Sequence, residues 1–155
     1  MREIIFDTET TGLNPAGGDR LVEIGCIEMV NRVETGRTYH AYFNPQRPMP
    51  SEAEAVHGLS DIFLSDKPLF GDKVEELLEF IGDSPLVAHN ASFDFGFLNH
   101  ELERCARDPV CLSRMREAVE KPLAPARRKA ETLRFARRAA RRLSAQIDPT
   151  LGEGS

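Results

Sequence analysis

The chain opens on a short apolar and β-branched run, Arg2-Glu3-Ile4-Ile5-Phe6, which leads into Asp7-Thr8-Glu9-Thr10-Thr11-Gly12. The β-branched content favours an extended strand, and Gly12 with Asn14-Pro15 ends it in a loop. Residues 21–30 and 37–43 carry two more strand patterns, joined by residues 31–36 as a hairpin loop with Gly36 available for a positive φ. Three successive strands on short links predict an antiparallel meander. Pro45, Pro48 and Pro50 then break the pattern, and Ser51 caps a short helix running toward His57-Gly58. Val74, Leu77, Leu78 and Ile81 recur at helical offsets, predicting an amphipathic helix over residues 70–82 that stops at Gly82. Residues 85–89 form a brief apolar strand. From Ser92 onward, Phe93, Phe97, Leu98 and Leu102 return to helical spacing. The order βββαβα, with a parallel fourth strand, predicts an α/β fold: a mixed sheet covered by helices.

Past residue 112 the pattern loosens. Residues 116–145 are dense in Arg and Ala, with Leu133, Ala136, Ala140 and Leu143 along one face of a predicted basic helix, and residues 148–155 read as a frayed terminus. Charge sharpens the division. Residues 1–100 hold 7 Lys and Arg against 17 Asp and Glu, a balance of −10, whereas residues 101–155 hold 13 against 8, a balance of +5. The expected organisation is an acidic folded body over residues 1–112 and a basic tail over 113–155. A hydrophobic share of 41% with 29% charged residues excludes the disordered, collagen and coiled-coil classes. No apolar run reaches the ~20 residues of a membrane span, and the first residues lack the apolar core of a secretory signal. Cys26, Cys105 and Cys111 form no C-x-x-C pair, which argues against a disulfide framework or zinc knuckle and favours a reducing cytoplasm.

Candidate chemistry begins with Asp7 and Glu9. Two residues apart on a strand, they leave the same face of the sheet. Adjacent carboxylates repel, and a hard divalent cation such as Mg²⁺ or Mn²⁺ relieves that repulsion. Alone, such a pair is more often simply wetted by solvent, because a two-residue motif recurs freely. His89-Asn90-Ala91-Ser92-Phe93-Asp94 adds a second element, a strand end feeding the first turn of a helix that carries Asp94. A helix N-terminus favours a carboxylate, and the sheet-end position lets Asp94 face the Asp7/Glu9 pair. Phe97 belongs to the core; Phe93 and Phe95 are open to either core packing or a base-stacking surface.

The segments IIFDTETTGL, GDRLVEIGCIEMVN, AVHGLSDIFLSDKP and LVAHNASFDFGFLNHEL resemble, in order and spacing, the epsilon proofreading subunits of bacterial DNA polymerase III, within the DEDD exonucleases. The resemblance covers roughly residues 2–105. It implies a ribonuclease-H-like fold and removal of 3′-terminal nucleotides from DNA with two divalent cations, Mg²⁺ or Mn²⁺. It implies further that Asp7 and Glu9 match the first motif and Asp94 the second, all as metal ligands. By the same resemblance Asp7 and Glu9 also meet substrate, Glu52 and His57 match nucleotide contacts, and Asn90 is a polar neighbour of the site. Thr8 and Thr10 would help to hold the terminal nucleotide through backbone amides. The implied partners are a DNA 3′ end and the polymerase catalytic subunit, in the cytoplasm.

The chain departs from that family in one respect. A third motif, a histidine followed five residues later by an aspartate, is expected sixty to seventy residues after the second. The histidines are His40, His57, His89 and His100, and the one aspartate after Asp108 is Asp148, with Leu143 five residues before it. The motif is missing, so the C-terminal part is expected to be incomplete or atypical and turnover impaired. Residues 119–129 read as a distorted remnant, with the tail out of frame or truncated; a basic extension that binds phosphates or a partner is the other account. His40, on a predicted strand, reads as a surface or satisfied core histidine. Two further functions stay open: a non-catalytic polymerase-binding module, and a related exonuclease acting on RNA ends, which 2′-hydroxyl recognition would distinguish.

Overall fold

The computed structural model describes residues 1–117. Five strands form one sheet in the order β3-β2-β1-β4-β5. Strands β1 (Arg2–Thr10), β2 (Leu21–Val30) and β3 (Val33–Tyr42) make the expected antiparallel meander. β4 (Leu86–Ala88) runs parallel to β1, and β5 (Met115–Glu117) parallel to β4. The mixed sheet flanked by helices agrees with the predicted α/β class.

The details show where side-chain pattern and backbone chemistry part. β1 runs on past the apolar run to Thr10, stopping short of Gly12 as the sequence suggests, because β2 pairs with it along its whole length. The hairpin between β2 and β3 is tighter than the loop predicted over 31–36. Asn31 and Arg32 both take positive φ, 50° and 68°, as a two-residue turn of this twist requires. Gly36 is still the flexible point predicted, but inside β3: its φ of 89° falls where the pairing with β2 shifts register.

Three helices follow the meander. α1 (Ser51–His57) sits where the sequence puts it and closes on Gly58 at φ 74°, although Pro50, not Ser51, takes the capping position. α2 (Asp61–Leu64) is a single turn capped by Ser60, whose hydroxyl accepts from the Phe63 amide at 3.1 Å. α3 (Phe70–Ile81) turns Phe70, Val74, Leu77 and Ile81 inward and stops at Gly82. After β4, α4 (Ala91–Arg104) starts one residue ahead of the predicted Ser92, with Asn90 as its cap.

β4, α4 and β5 make a parallel crossover. β5 lies beyond residue 112, where the sequence placed the end of the folded body. Its three residues carry no periodic signal; backbone contacts hold them, with Arg114 donating to the Ser84 carbonyl at 3.1 Å and also to the Gly82 carbonyl. The predicted basic helix, the remnant at 119–129 and the frayed terminus lie outside the described residues.

The main core lies between the sheet and helices α3 and α4. Ile4, Phe6, Ile24 and Cys26 from the strands, with Phe43 just after β3, meet Val74, Leu77, Phe95, Leu98 and Leu102. Phe6 and Phe95 pack edge to face at 5.6 Å. A smaller cluster, Val22, Met49, Leu59 and Leu64 with Tyr42 and Phe63 against it, seats α1 and α2. Strand alternation places that cluster on the opposite face: Tyr42 belongs to it, whereas Tyr39, Ala41 and Phe43 belong to the main core.

Candidate active site

Asp7 and Glu9 are half-buried on β1 and share one face of the sheet, while Phe6 and Thr8 point to the face covered by α4. The fully buried face of α4 carries Asp94 in its first turn. Its Oδ1 accepts from the Thr8 hydroxyl at 2.5 Å, so the residue between the two β1 carboxylates is what ties Asp94 to the strand. Burial pushes the Asp94 carboxyl up to about 6; the Thr8 hydroxyl and backbone pull it down, and the charge of Glu9 adds to the rise. The structure thus ties Asp94 to the strand that carries the other two acids, Asp7 and Glu9, with Glu9 near enough for its charge to be felt. It does not close them into a triad: among the described residues no group of three His, Cys, Asp or Glu side chains is gathered as a metal-holding cluster.

The loop after β1 is built around Asp19. Its Oδ1 accepts from the Thr11 hydroxyl at 2.9 Å and its Oδ2 from the Asn14 amide at 3.1 Å, while the Thr11 amide donates to the Arg20 carbonyl and the Arg20 amide to the Thr11 hydroxyl, both at 2.9 Å. A Cβ on Gly12 would stand 2.3 Å from Asp19 Oδ2, so no larger residue fits there without moving the loop. Arg20 then reaches α4. Its Nε and Nη2 donate to Glu101 at 2.7 and 2.9 Å, and the Leu21 amide donates to the same carboxylate at 3.2 Å. Glu101 is 1% exposed, a buried charge paired on three sides. This clamp fixes the Asp94 helix to the end of the Asp7/Glu9 strand.

The remaining predicted residues fall at different depths. Glu52 is exposed on α1. His57 ends that helix with both ring nitrogens engaged: Nε2 donates to the Thr10 carbonyl at 3.0 Å and Nδ1 accepts from the Leu59 amide at 3.0 Å. Its ring therefore pins α1 to the end of β1. Asn90 is exposed at the cap of α4 and makes no side-chain capping bond. Phe95 is core at 1% exposure, and Phe93 packs on Phe97 at 4.9 Å at the core margin. His40 is satisfied by Glu23 at 2.9 Å.

Sequence reasoning passed over Arg20, Glu101 and the Glu23/His40 pair as working parts, and gave Thr8 a backbone role at the nucleotide but not its hydroxyl bond to Asp94. Glu101 had a signal: a carboxylate between Leu98 and Leu102 on the apolar face of a helix needs a partner. Arg20 had none, because its partner lies 81 positions away.

The five-stranded mixed sheet with flanking helices is a ribonuclease-H-like fold. Solved structures of the same fold include the metal-free complex of Escherichia coli exonuclease I with single-stranded DNA (TM-score 0.64, 18% identity, 70% of this chain and 25% of that one). Another is the E. coli exonuclease I complex with a 5cy-dA13 oligonucleotide (TM-score 0.64, 17% identity, 75% and 27%). The chain belongs to the exonuclease family described as "RNase_T: Exonuclease", whose profile matches residues 4–142. Among curated proteins it is similar to DNA polymerase III subunit epsilon of Rickettsia felis, 55% identical over 120 residues, covering 77% of this chain and 52% of that protein. It is similar also to DNA polymerase III subunit epsilon of E. coli K12, 45% identical over 111 residues, covering 69% and 46%. The chain spans about half the length of these relatives. No described helix is long and apolar enough to cross a membrane.

Proposed function

We propose that the chain is a metal-dependent 3′–5′ exodeoxyribonuclease of the proofreading type, acting beside a replicative DNA polymerase. The observation that carries this reading is the placement of Asp7 and Glu9 on one face of β1, with Asp94 held at the same strand by Thr8. The likeness to epsilon subunits supplies the substrate class and the polymerase partner.

The donor set fits hard divalent cations, since it consists of carboxylate oxygens without thiols. Asp7, Glu9 and Asp94 would hold the ions, Mg²⁺ or Mn²⁺, and these supply an acidified water and charge neutralisation at the phosphodiester. Asp7 and Glu9 concentrate negative charge on one face, which favours cation entry. Thr8 orients Asp94 through its hydroxyl. Arg20 and Glu101 keep the two carboxylate-bearing elements at a fixed separation. Glu52 and His57 lie on α1, from which we assign them to the nucleotide. His57 acts there by holding α1 against the Thr10 carbonyl.

No histidine follows His100 in these 155 residues, and none is assigned here as a general base. A second reading is a binding module that keeps the fold and contacts the polymerase without cutting. One assay separates them. A 5′-labelled single-stranded DNA oligonucleotide is incubated with the protein and Mn²⁺, beside Asp7→Ala and beside an RNA oligonucleotide. Stepwise shortening from the 3′ end that Asp7→Ala abolishes supports the nuclease. Faster shortening of RNA reassigns the substrate, and intact DNA with retained polymerase binding supports the module.

A further inference from the structure

The face of the sheet that carries Asp7 and Glu9 continues across β2 and β3. Strand register places Glu23 directly opposite Glu9, and Gly25 directly opposite Asp7. One strand further out, Tyr42 stands opposite Glu23 and His40 opposite Gly25. Directly opposed residues of an antiparallel pair share a face with their Cβ atoms about 4.5–5.5 Å apart, and like charges there destabilise the pair. Glu9 and Glu23 are such a pair of like charges.

Glu23 does not carry its charge unattended. His40 reaches diagonally over the side-chain-free position of Gly25 and donates from Nε2 to Glu23 Oε1 at 2.9 Å. Both side chains are largely buried, 7% exposed for His40 and 14% for Glu23. The imidazole is itself wedged. It meets Tyr42 edge to face at 4.5 Å, and Tyr42 meets Phe63 of α2 at 5.0 Å and 90°. A chain of rings from α2 thus fixes a donor that reaches Glu23 from β3.

We propose that His40 is a positioning residue of the site: through Glu23 it draws a competing carboxylate toward β3, away from Glu9 and the cations. The proposal rests on the nuclease reading above. Without the His40 donor, Glu23 is free to turn to Glu9 and join the cation field. An added negative charge at that range strengthens cation binding while displacing the ions from the geometry that Asp7 and Glu9 set.

The test is titration calorimetry with Mn²⁺ alone on the full chain, beside Asp7→Ala. His40→Phe keeps the ring against Tyr42 but removes the donor; it is expected to bind Mn²⁺ about five- to ten-fold tighter and to cut the oligonucleotide at least ten-fold more slowly. His40→Gln restores a donor and is expected to bring Mn²⁺ affinity to within about two-fold of the unaltered chain. Adding Glu23→Gln to His40→Phe is expected to do the same. Loss of packing alone moves thermal stability and leaves Mn²⁺ affinity unchanged or weaker, so unchanged or weaker binding by His40→Phe overturns the proposal. Should His40→Phe fail to fold, Glu23→Gln decides: affinity within about two-fold of the unaltered chain upholds the proposal, and a five-fold loss overturns it by making Glu23 a direct part of the field. Equal Mn²⁺ binding by the unaltered chain and Asp7→Ala removes the nuclease reading itself, and the proposal with it.

Discussion

Replacing Asp94 by Asn should stabilise the cation-free protein at neutral pH. The Asp94 carboxyl is 5% exposed and sits near Glu9, and its pKa is raised from 3.8 to about 6, chiefly by burial. A carboxyl whose pKa is higher folded than unfolded binds its proton more tightly in the native state. Its stabilising contribution is therefore complete below about pH 3.8 and is lost as the pH rises through about 6. At about 1.4 kcal/mol per pKa unit, the loss above pH 7 is on the order of 2–3 kcal/mol. Asn keeps an acceptor at Oδ1 for the Thr8 hydroxyl and never ionises, so it escapes that loss. Urea denaturation followed by circular dichroism, in EDTA at pH 4 and pH 8, measures the difference. The two proteins should match within about 0.5 kcal/mol at pH 4, with the variant ahead by on the order of 2 kcal/mol at pH 8. A variant no more stable at pH 8, or one with the same gain at both pH values, would show that Asp94 is not a destabilised carboxylate. A functional carboxylate that costs stability until a cation arrives is what a metal site of this kind requires.

Other expectations follow from the same contacts. Arg20→Ala strands the buried Glu101 carboxylate and should cost about 3–5 kcal/mol in urea denaturation, whereas Glu101→Gln, which lets Arg20 turn outward, should cost about 1–3 kcal/mol. Phe95→Ala opens a cavity against Phe6 and should cost about 3–5 kcal/mol by the same method. Thr8→Val removes the hydroxyl that lowers the Asp94 pKa, so carboxyl NMR should find that group titrating above its value in the unaltered protein. Gly12→Ala should disorder the Asp19 loop, read as faster amide hydrogen exchange at Thr11 and Asn14 with the sheet unchanged.

The meander, α1 and α3 were legible because each carries its own periodic pattern or local punctuation. Gly36 and Gly82 mark backbone positions that the structure uses at positive φ. β5 was not legible, since Met115-Arg116-Glu117 has no alternation and is placed by β4 and by Arg114. α2 was missed for a similar reason: one turn is too short for periodicity, and only the Ser60 cap announces it. At the site, the shared face of Asp7 and Glu9 follows from strand geometry alone. The role of Thr8 does not, because its hydroxyl bonds across 86 positions to Asp94. His40 was legible as a satisfied histidine. Its place in the Asp7–Gly25 row, diagonal to Glu23, depends on the register of three strands, which side-chain pattern leaves undetermined.

The claim that the β1 pair and Asp94 serve one cation site is tested most directly by Mn²⁺ titration followed in amide NMR spectra. Paramagnetic broadening is predicted to begin together at residues 7–10 of β1 and 90–95 of α4, and to vanish at both in Asp7→Ala. Broadening confined to one of the two segments, or unaffected by that substitution, would contradict it.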